Sequence, residues 1–171
     1  TLTLQENAAS STGAVALQGN VTAATLTTFA QAYDVALTGS TVAITNDTNF
    51  LNTGTTTLGN ATADTLTFTG GLGATAGAVN AAGTINTTNQ QMDLGAVTVT
   101  TTGQTLTLDT GTGAGALNVA SITGVAGGAA ENITLISGAG ATTVSGNIGT
   151  DIGTLTLQEN AASSTGAVAL Q

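Results

Sequence analysis

The chain lacks every residue type that ordinarily supplies a positive side-chain charge or a thiol. Its 171 residues include no lysine, arginine, histidine, cysteine, proline or tryptophan. Without cysteine, neither disulfides nor thiolate metal sites can form. Without histidine or lysine, acid–base catalysis at neutral pH would depend mostly on carboxylates, and without any cationic side chain an anionic intermediate would lack its usual stabilising partners. We therefore predict a protein that is not an enzyme, with no catalytic, cofactor-binding or metal-binding residues.

All of the formal side-chain charge is negative. The acidic residues are scattered singly and give a net charge of −9 at pH 7: Glu6, Asp34, Asp47, Asp64, Asp93, Asp109, Glu131, Asp151 and Glu159. Such a chain repels nucleic acids and anionic lipids, and polar residues interrupt every apolar stretch before it reaches the length of a membrane span. We predict no nucleic-acid partner, no membrane span in this segment and no cofactor. Calcium that bridges the acidic surfaces of neighbouring molecules is an open alternative.

The two ends of the chain carry the same eighteen residues. Residues 154–171 repeat residues 1–18 letter for letter, with the sequence TLTLQENAASSTGAVALQ, and this sets a period of 153 residues. Repetition at a fixed period is typical of tandem-repeat architectures. We predict that residues 1–153 are one tandem unit, that residues 154–171 begin the next identical unit, and that the natural protein continues in both directions.

Two families of short motifs recur within the unit. The first has the form G-A-apolar-x-apolar and begins at residues 13, 77, 95, 115, 140 and 166, with degenerate copies at 33 and 54. The second has the form T-L-T-L, with variants, and begins at residues 1, 25, 41, 65, 84, 105, 132 and 154. Apolar and small polar residues alternate in both families, which is the pattern of half-buried strands. Glycine-rich and asparagine-rich turns separate the motifs.

A motif spacing of about 22 residues matches one coil of a parallel β-helix. We predict an all-β protein, a parallel β-helix or β-solenoid with about seven coils in each 153-residue unit. Leucine, valine and isoleucine would stack inward while threonine and asparagine face outward. At an inter-strand spacing of about 4.8 Å, seven coils would advance the axis by roughly 34 Å. A compact β-sandwich is the alternative, although its hairpins would not extend by head-to-tail repetition.

Two groups of side chains are candidates for a binding surface. Outward threonines in T-x-T segments would form an incomplete row of the kind used by several ice-binding proteins: Thr1/Thr3, Thr25/Thr27, Thr65/Thr67, Thr98/Thr100 and Thr105/Thr107. Motif spacings that vary from 18 to 26 residues predict an irregular row. The aromatic residues Phe29, Tyr33, Phe50 and Phe68 are predicted to stack in the narrow core rather than to form a binding platform.

The T-L-T-L and G-A-V-x-L segments, with the Gly-Asn turns between them, resemble the β-strand-repeat regions of giant bacterial surface exoproteins. These include filamentous-haemagglutinin-like adhesins and autotransporter passengers, and the resemblance extends over the whole chain. It implies a right-handed β-helical shaft displayed outside the cell, with adhesion often located in separate domains. The long identical repeat and the absence of cationic residues depart from that family and favour a uniform filament or sheath.

These features predict a structural protein at the cell surface, an extracellular β-solenoid filament, fibre or sheath. Its partners would be copies of itself, through axial continuation and lateral bundling. One alternative is an adhesin shaft that binds glycans or ice through outward threonine and asparagine rows, which requires a regular outward face on at least four successive coils. The other alternative is a short subunit that polymerises non-covalently end to end.

Overall fold

The computed structural model describes residues 1–5, 11–100, 102–158 and 165–171. Over these ranges it contains nineteen short strands and no helix, hence no helix that is long and apolar enough to cross a membrane. All of the strand pairs are parallel. The strands stack as a β-solenoid of about seven turns, which confirms the predicted all-β parallel β-helix.

The strands are short because glycine, asparagine or serine turns interrupt them. In chain order they are β1 (Leu2–Thr3), β2 (Ala14–Leu17), β3 (Val21–Ala23), β4 (Leu26–Thr27), β5 (Asp34–Leu37), β6 (Thr41–Ile44), β7 (Thr48–Asn49), β8 (Thr56–Leu58), β9 (Thr65–Phe68), β10 (Leu72–Ala74), β11 (Val79–Ala81), β12 (Gly83–Thr87), β13 (Met92–Val99), β14 (Thr105–Asp109), β15 (Leu117–Thr123), β16 (Glu131–Ile136), β17 (Thr142–Val144), β18 (Ile152–Leu157) and β19 (Val168–Leu170).

Three columns of strands run along the solenoid axis, and the chain visits them in a constant order. Face I contains β1, β4, β7, β10, the N-terminal halves of β13 and β15, β17 and β19. Face II contains β2, β5, β8, β11 and the C-terminal halves of β13 and β15, and an isolated bridge from Ile122 to Ile148 extends it. Face III contains β3, β6, β9, β12, β14, β16 and β18.

Face I includes a junction that side-chain hydrogen bonds hold together. The pair β1 and β4 is assigned as a separate two-stranded sheet. The Thr28 hydroxyl, directly after β4, donates to the carbonyl oxygen of Asn49 at the end of β7, at 3.2 Å. The same hydroxyl accepts a hydrogen bond from the backbone N–H of Leu51 at 2.8 Å. The threonine side chain therefore connects β4 to the rest of face I.

The core is a stack of thin apolar layers, and all three faces contribute side chains to it. Alternate residues are buried in strands of the middle turns, as the sequence pattern predicts. Tyr33 and Phe68 have no exposed surface, and the rings of Phe50 and Phe68 meet edge to face with their centroids 6.2 Å apart. Phe29 is half-buried. The prediction that the aromatic residues pack in the core is confirmed for the three buried rings.

The two motif families do not each keep to one face. G-A motifs that begin at residues 13 to 95 lie on face II, whereas those that begin at 115, 140 and 166 lie on face I. The assumption of one motif per turn is wrong between Gly95 and Gly115, where the chain makes only two-thirds of a turn. A long connection from β14 to β15 supplies the missing residues, so the sequence spacing looks like that of a full turn.

Candidate functional site

Six outward-facing threonines form a continuous row along face III, which we call the threonine ladder. Each member is the direct pairing partner of the next across successive strands, in the order Thr41, Thr65, Thr84, Thr107, Thr134 and Thr156. At about 4.8 Å per strand, the ladder is about 24 Å long. It thus satisfies the requirement of a regular outward face on at least four coils.

The local sequence places each ladder threonine outward. Thr107 stands between Leu106 and Leu108, and both leucines are fully buried. Because successive side chains of a strand point to opposite sides, burial of the two leucines turns the threonine between them toward solvent. Threonine is also β-branched, and its side chain suits the surface of a strand.

The ladder stays in register although the turns differ in length. Successive members are separated by 24, 19, 23, 27 and 22 residues. The connections absorb these differences: only Ala82 separates β11 from β12, whereas residues 124–130 connect β15 to β16. Variable turn length therefore does not interrupt the pairing of these six positions. The buried residues on either side set the register, and the loops at the corners take up the extra chain.

A T-x-T search finds only part of this surface. Of the five predicted pairs, only Thr65/Thr67 and Thr105/Thr107 lie on face III, because the others belong to faces I and II or their ends. The search misses Thr41, Thr84 and Thr134, which stand in T-V-A, T-I-N and N-I-T segments. A search for outward threonines at any spacing of one full turn would have found them.

The ladder hydroxyls are available to a ligand or to water. Within the described ranges, no hydrogen bond joins any of the six ladder hydroxyls to another group of the protein. Beside the ladder lies a second outward row that includes Ala43, Thr67, Asn86 and Asp109, paired in that order. The outward side of this face therefore combines uncharged hydroxyl and methyl groups with few charges, and none of the outward residues in its described strands is aromatic.

A second surface feature is an open groove of about 300 Å³ on face I. Asn49, Asp93, Asn118 and Thr143 contribute outward side chains to it. The carboxylate of Asp93 accepts hydrogen bonds from the side-chain amides of Asn118 at 2.7 Å and Gln91 at 2.6 Å. These amides occupy both carboxylate oxygens of Asp93, so the groove is polar and its polar groups are already partly paired within the chain.

Most of the described carboxylates accept hydrogen bonds from turns or from neighbouring amides. Asp34 accepts from the backbone N–H of Thr55 at 2.7 Å, and Asp109 from that of Gly111 at 2.7 Å. Asp64 accepts two backbone N–H groups, at 2.8 and 3.0 Å. Asp47 accepts from an asparagine amide at 2.9 Å. These acids stabilise the loops between strands.

The remaining carboxylates do not assemble into a site. Glu131 is fully buried, and neither of its oxygens has a hydrogen-bond partner among the described residues. Asp151 adopts a positive φ of 68° in a turn. Glu6 and Glu159 lie outside the described residues. Over the described ranges, no three acidic, histidine or cysteine residues come together as a metal-binding group.

Comparison with known proteins does not place the chain in a family. No protein-family model, no curated protein and no solved structure matches it. The structure itself shows a parallel β-solenoid of about seven turns. Relation by descent to the exoproteins that the sequence resembles stays a prediction.

Proposed function

We propose that this chain is part of an extracellular structural filament built from tandem 153-residue solenoid units. The position of the second copy of the repeat supports this proposal most directly. Strands β18 and β19, which include residues of the second copy, pair with β16 and β17 in the same parallel arrangement as the earlier turns. Repetition of the sequence therefore lengthens the stack rather than adding a separate domain.

The terminal turns carry surfaces suited to further stacking. At one end, the inward residues Val15 and Leu17 are only half-buried. At the other end, Val168 and Leu170 remain 38% and 48% exposed, although they pair with the buried Thr142 and Val144. Another turn on either end would bury this apolar surface and pair the free strand edges.

The surface chemistry favours a durable rod whose partners are copies of itself. With no lysine or arginine, the chain offers no cleavage site to trypsin-like proteases, an advantage outside a cell. Repulsion between acidic surfaces would keep the rods apart at low salt, whereas screening by salt or divalent cations would let them bundle. Staining of intact, non-permeabilised cells with an antibody to this chain tests the location, and labelling that requires permeabilisation would contradict it.

Electron microscopy of the native material tests the filament directly. We expect rods whose power spectrum contains a layer line near 4.8 Å, the spacing between stacked strands. Discrete globular particles without this spacing would contradict the proposal. A denaturing gel separates a covalent array from a stacked short subunit, since the array migrates far above 16.3 kDa.

Ice or ordered water is a second candidate partner, and the threonine ladder is the specific observation that favours it. The ladder presents hydroxyl and methyl groups at one repeated spacing over six strands. Glycan binding is less favoured on this face because it lacks the aromatic rings on which sugars stack. An uncharged, regular array suits a surface that orders water along the solenoid axis.

Thermal hysteresis of the 171-residue chain tests this second candidate. If the ladder binds ice, Thr84→Lys should abolish the hysteresis, because a long charged side chain interrupts the middle of the array. Thr57→Lys is the matched control, since Thr57 is a half-buried outward residue on face II. Equal hysteresis in both variants, or none in the parent chain, would remove ice binding from consideration.

A further inference from the structure

The two copies of the eighteen-residue repeat occupy different faces of the solenoid. In the first copy, Leu2 pairs with Leu26 on face I. Its counterpart in the second copy, Leu155, pairs with Ile133 on face III. Identical local sequence thus forms the same kind of strand at a different position around the axis.

The second motif of the repeat shows the same displacement. Val15 of the first copy pairs with Val35 on face II. Its counterpart, Val168, pairs with Thr142 on face I. Both motifs have moved back by one face, so the change is a rotation of the whole repeat and not a local slip of one strand.

Counting strand positions gives the size of this rotation. One strand position is one passage of the chain across one face. Strands β13 and β15 each cross two faces and count twice, and Ile148 counts as a position on face II. The chain then advances by twenty positions from β1 to β18, and by twenty from β2 to β19. With three positions per turn, the 153-residue period makes six and two-thirds turns. A whole number of turns would have returned the repeat to its starting face.

We infer that in a tandem array each 153-residue unit is rotated by one face relative to the unit before it. This inference rests on the proposed tandem filament. The threonine ladder lies on face III in the first unit, on face II in the second and on face I in the third. The arrangement returns to its start after three units, which is twenty turns or about 96 Å at 4.8 Å per strand.

The rotation determines which partners the rod can bind. A surface that occurs once per unit is presented in three directions around the axis. Successive copies that point in the same direction lie about 96 Å apart. This geometry fits further copies of the rod packed on all three sides, in a bundle rather than in a flat ribbon. Each copy of the ladder, made of five threonines of one unit and one of the next, is confined to about 24 Å on any one face.

Spin-label pairs on the 171-residue chain test the rotation, and the absence of native cysteine allows clean labelling. Thr134 and Thr156 are direct partners on face III, so labels in T134C/T156C should lie about one strand spacing apart and show strong spin–spin broadening. Had the second copy kept the face of the first, Thr156 would lie beside Thr143 on face I. T143C/T156C should therefore show no such broadening.

The pair T107C/T134C serves as the control, because these residues are partners on face III whichever face the second copy occupies. Broadening in T143C/T156C but not in T134C/T156C would overturn the rotation while leaving the solenoid intact. Loss of broadening in the control as well would overturn both the rotation and the proposed solenoid filament. Broadening in T134C/T156C and in the control alone is the result that we expect.

Discussion

Asn52 and Tyr33 are joined by a hydrogen bond inside the core, where neither residue has exposed surface. The side-chain amide of Asn52 donates to the carbonyl oxygen of Tyr33 and to the hydroxyl of Thr56, both at 3.2 Å. A buried amide is tolerated because these partners replace the water it loses. The pair therefore fixes the loop between β7 and β8 against face II.

Replacement of Asn52 by alanine should destabilise the protein because it removes these hydrogen bonds from a buried site. We expect the free energy of unfolding to fall by about 1–3 kcal/mol in chemical denaturation. Asn118→Ala is the control, since that half-buried amide bonds to an outward carboxylate. Its cost should stay within about 0.5 kcal/mol, and equal losses in the two variants would contradict the argument.

A buried leucine should contribute more to the free energy of unfolding in the middle of the stack than at its end. Leu58 is fully buried between two turns, whereas Leu17 occupies the same position of face II in the first turn and is half-buried. Leu58→Ala should cost about 2–5 kcal/mol, and Leu17→Ala less than half of that. Denaturation curves of the two variants provide the comparison. A larger loss at Leu17 would mean that the terminal turn is better packed than the structure shows.

Gly39 should not tolerate a side chain, because the backbone of the preceding turn passes directly beside it. A Cβ atom at Gly39 would lie 2.1 Å from the carbonyl oxygen of Gly19. Gly39→Ala must push two backbones apart, and we expect a loss of about 1–3 kcal/mol. Gly19→Ala is matched to it in the preceding turn, where a Cβ atom would meet nothing within 4 Å. Thermal melting should leave Gly19→Ala unchanged or slightly stabilised, and similar melting temperatures for both variants would contradict the steric argument.

Substitution of the two buried acids Glu131 and Asp64 should change the free energy of unfolding in opposite directions. Glu131 has no hydrogen-bond partner among the described residues, so Glu131→Met replaces an unpaired carboxylate with an apolar group of similar size. We expect it to stabilise the fold by about 1–3 kcal/mol. Asp64→Ala removes the acceptor of two backbone N–H groups and should destabilise by a similar amount. Urea denaturation measures both, and destabilisation by Glu131→Met would show that its carboxylate has a stabilising partner.

Calcium should cause the molecules to associate if it bridges their acidic surfaces. Because the chain has a net charge of −9 and no cationic side chain, bridging by a divalent cation should act more strongly than screening alone. Light scattering should rise on addition of calcium chloride and fall again with a chelator. Sodium chloride at the same ionic strength is the control, and an equal rise in that salt would indicate screening without calcium bridges.

Much of the architecture follows from local sequence. The alternation in segments such as Thr105–Asp109 predicts short strands with one buried side, and the glycine and asparagine clusters predict the turns. Repetition at about one coil length predicts parallel stacking, and the apolar character of the aromatic rings favours their place in the core. The strands, turns and buried rings depend on side-chain burial or backbone preference within a few residues, and the stacking depends on the motif period, so all of them can be predicted from the sequence alone.

The identical sequences at residues 1–18 and 154–171 predict strands at corresponding positions, but the faces on which these strands lie follow from the stacking of the whole chain. Leu2 and Leu155 have identical neighbours for several residues, so no local preference can distinguish face I from face III. The face depends on the number of strand positions passed since the previous copy, and long loops and corner-turning strands alter that number without changing the motif spacing. The threonine ladder could not be predicted from motif spacing either. Its register is set by the stacking of buried residues on neighbouring turns and not by distance along the chain.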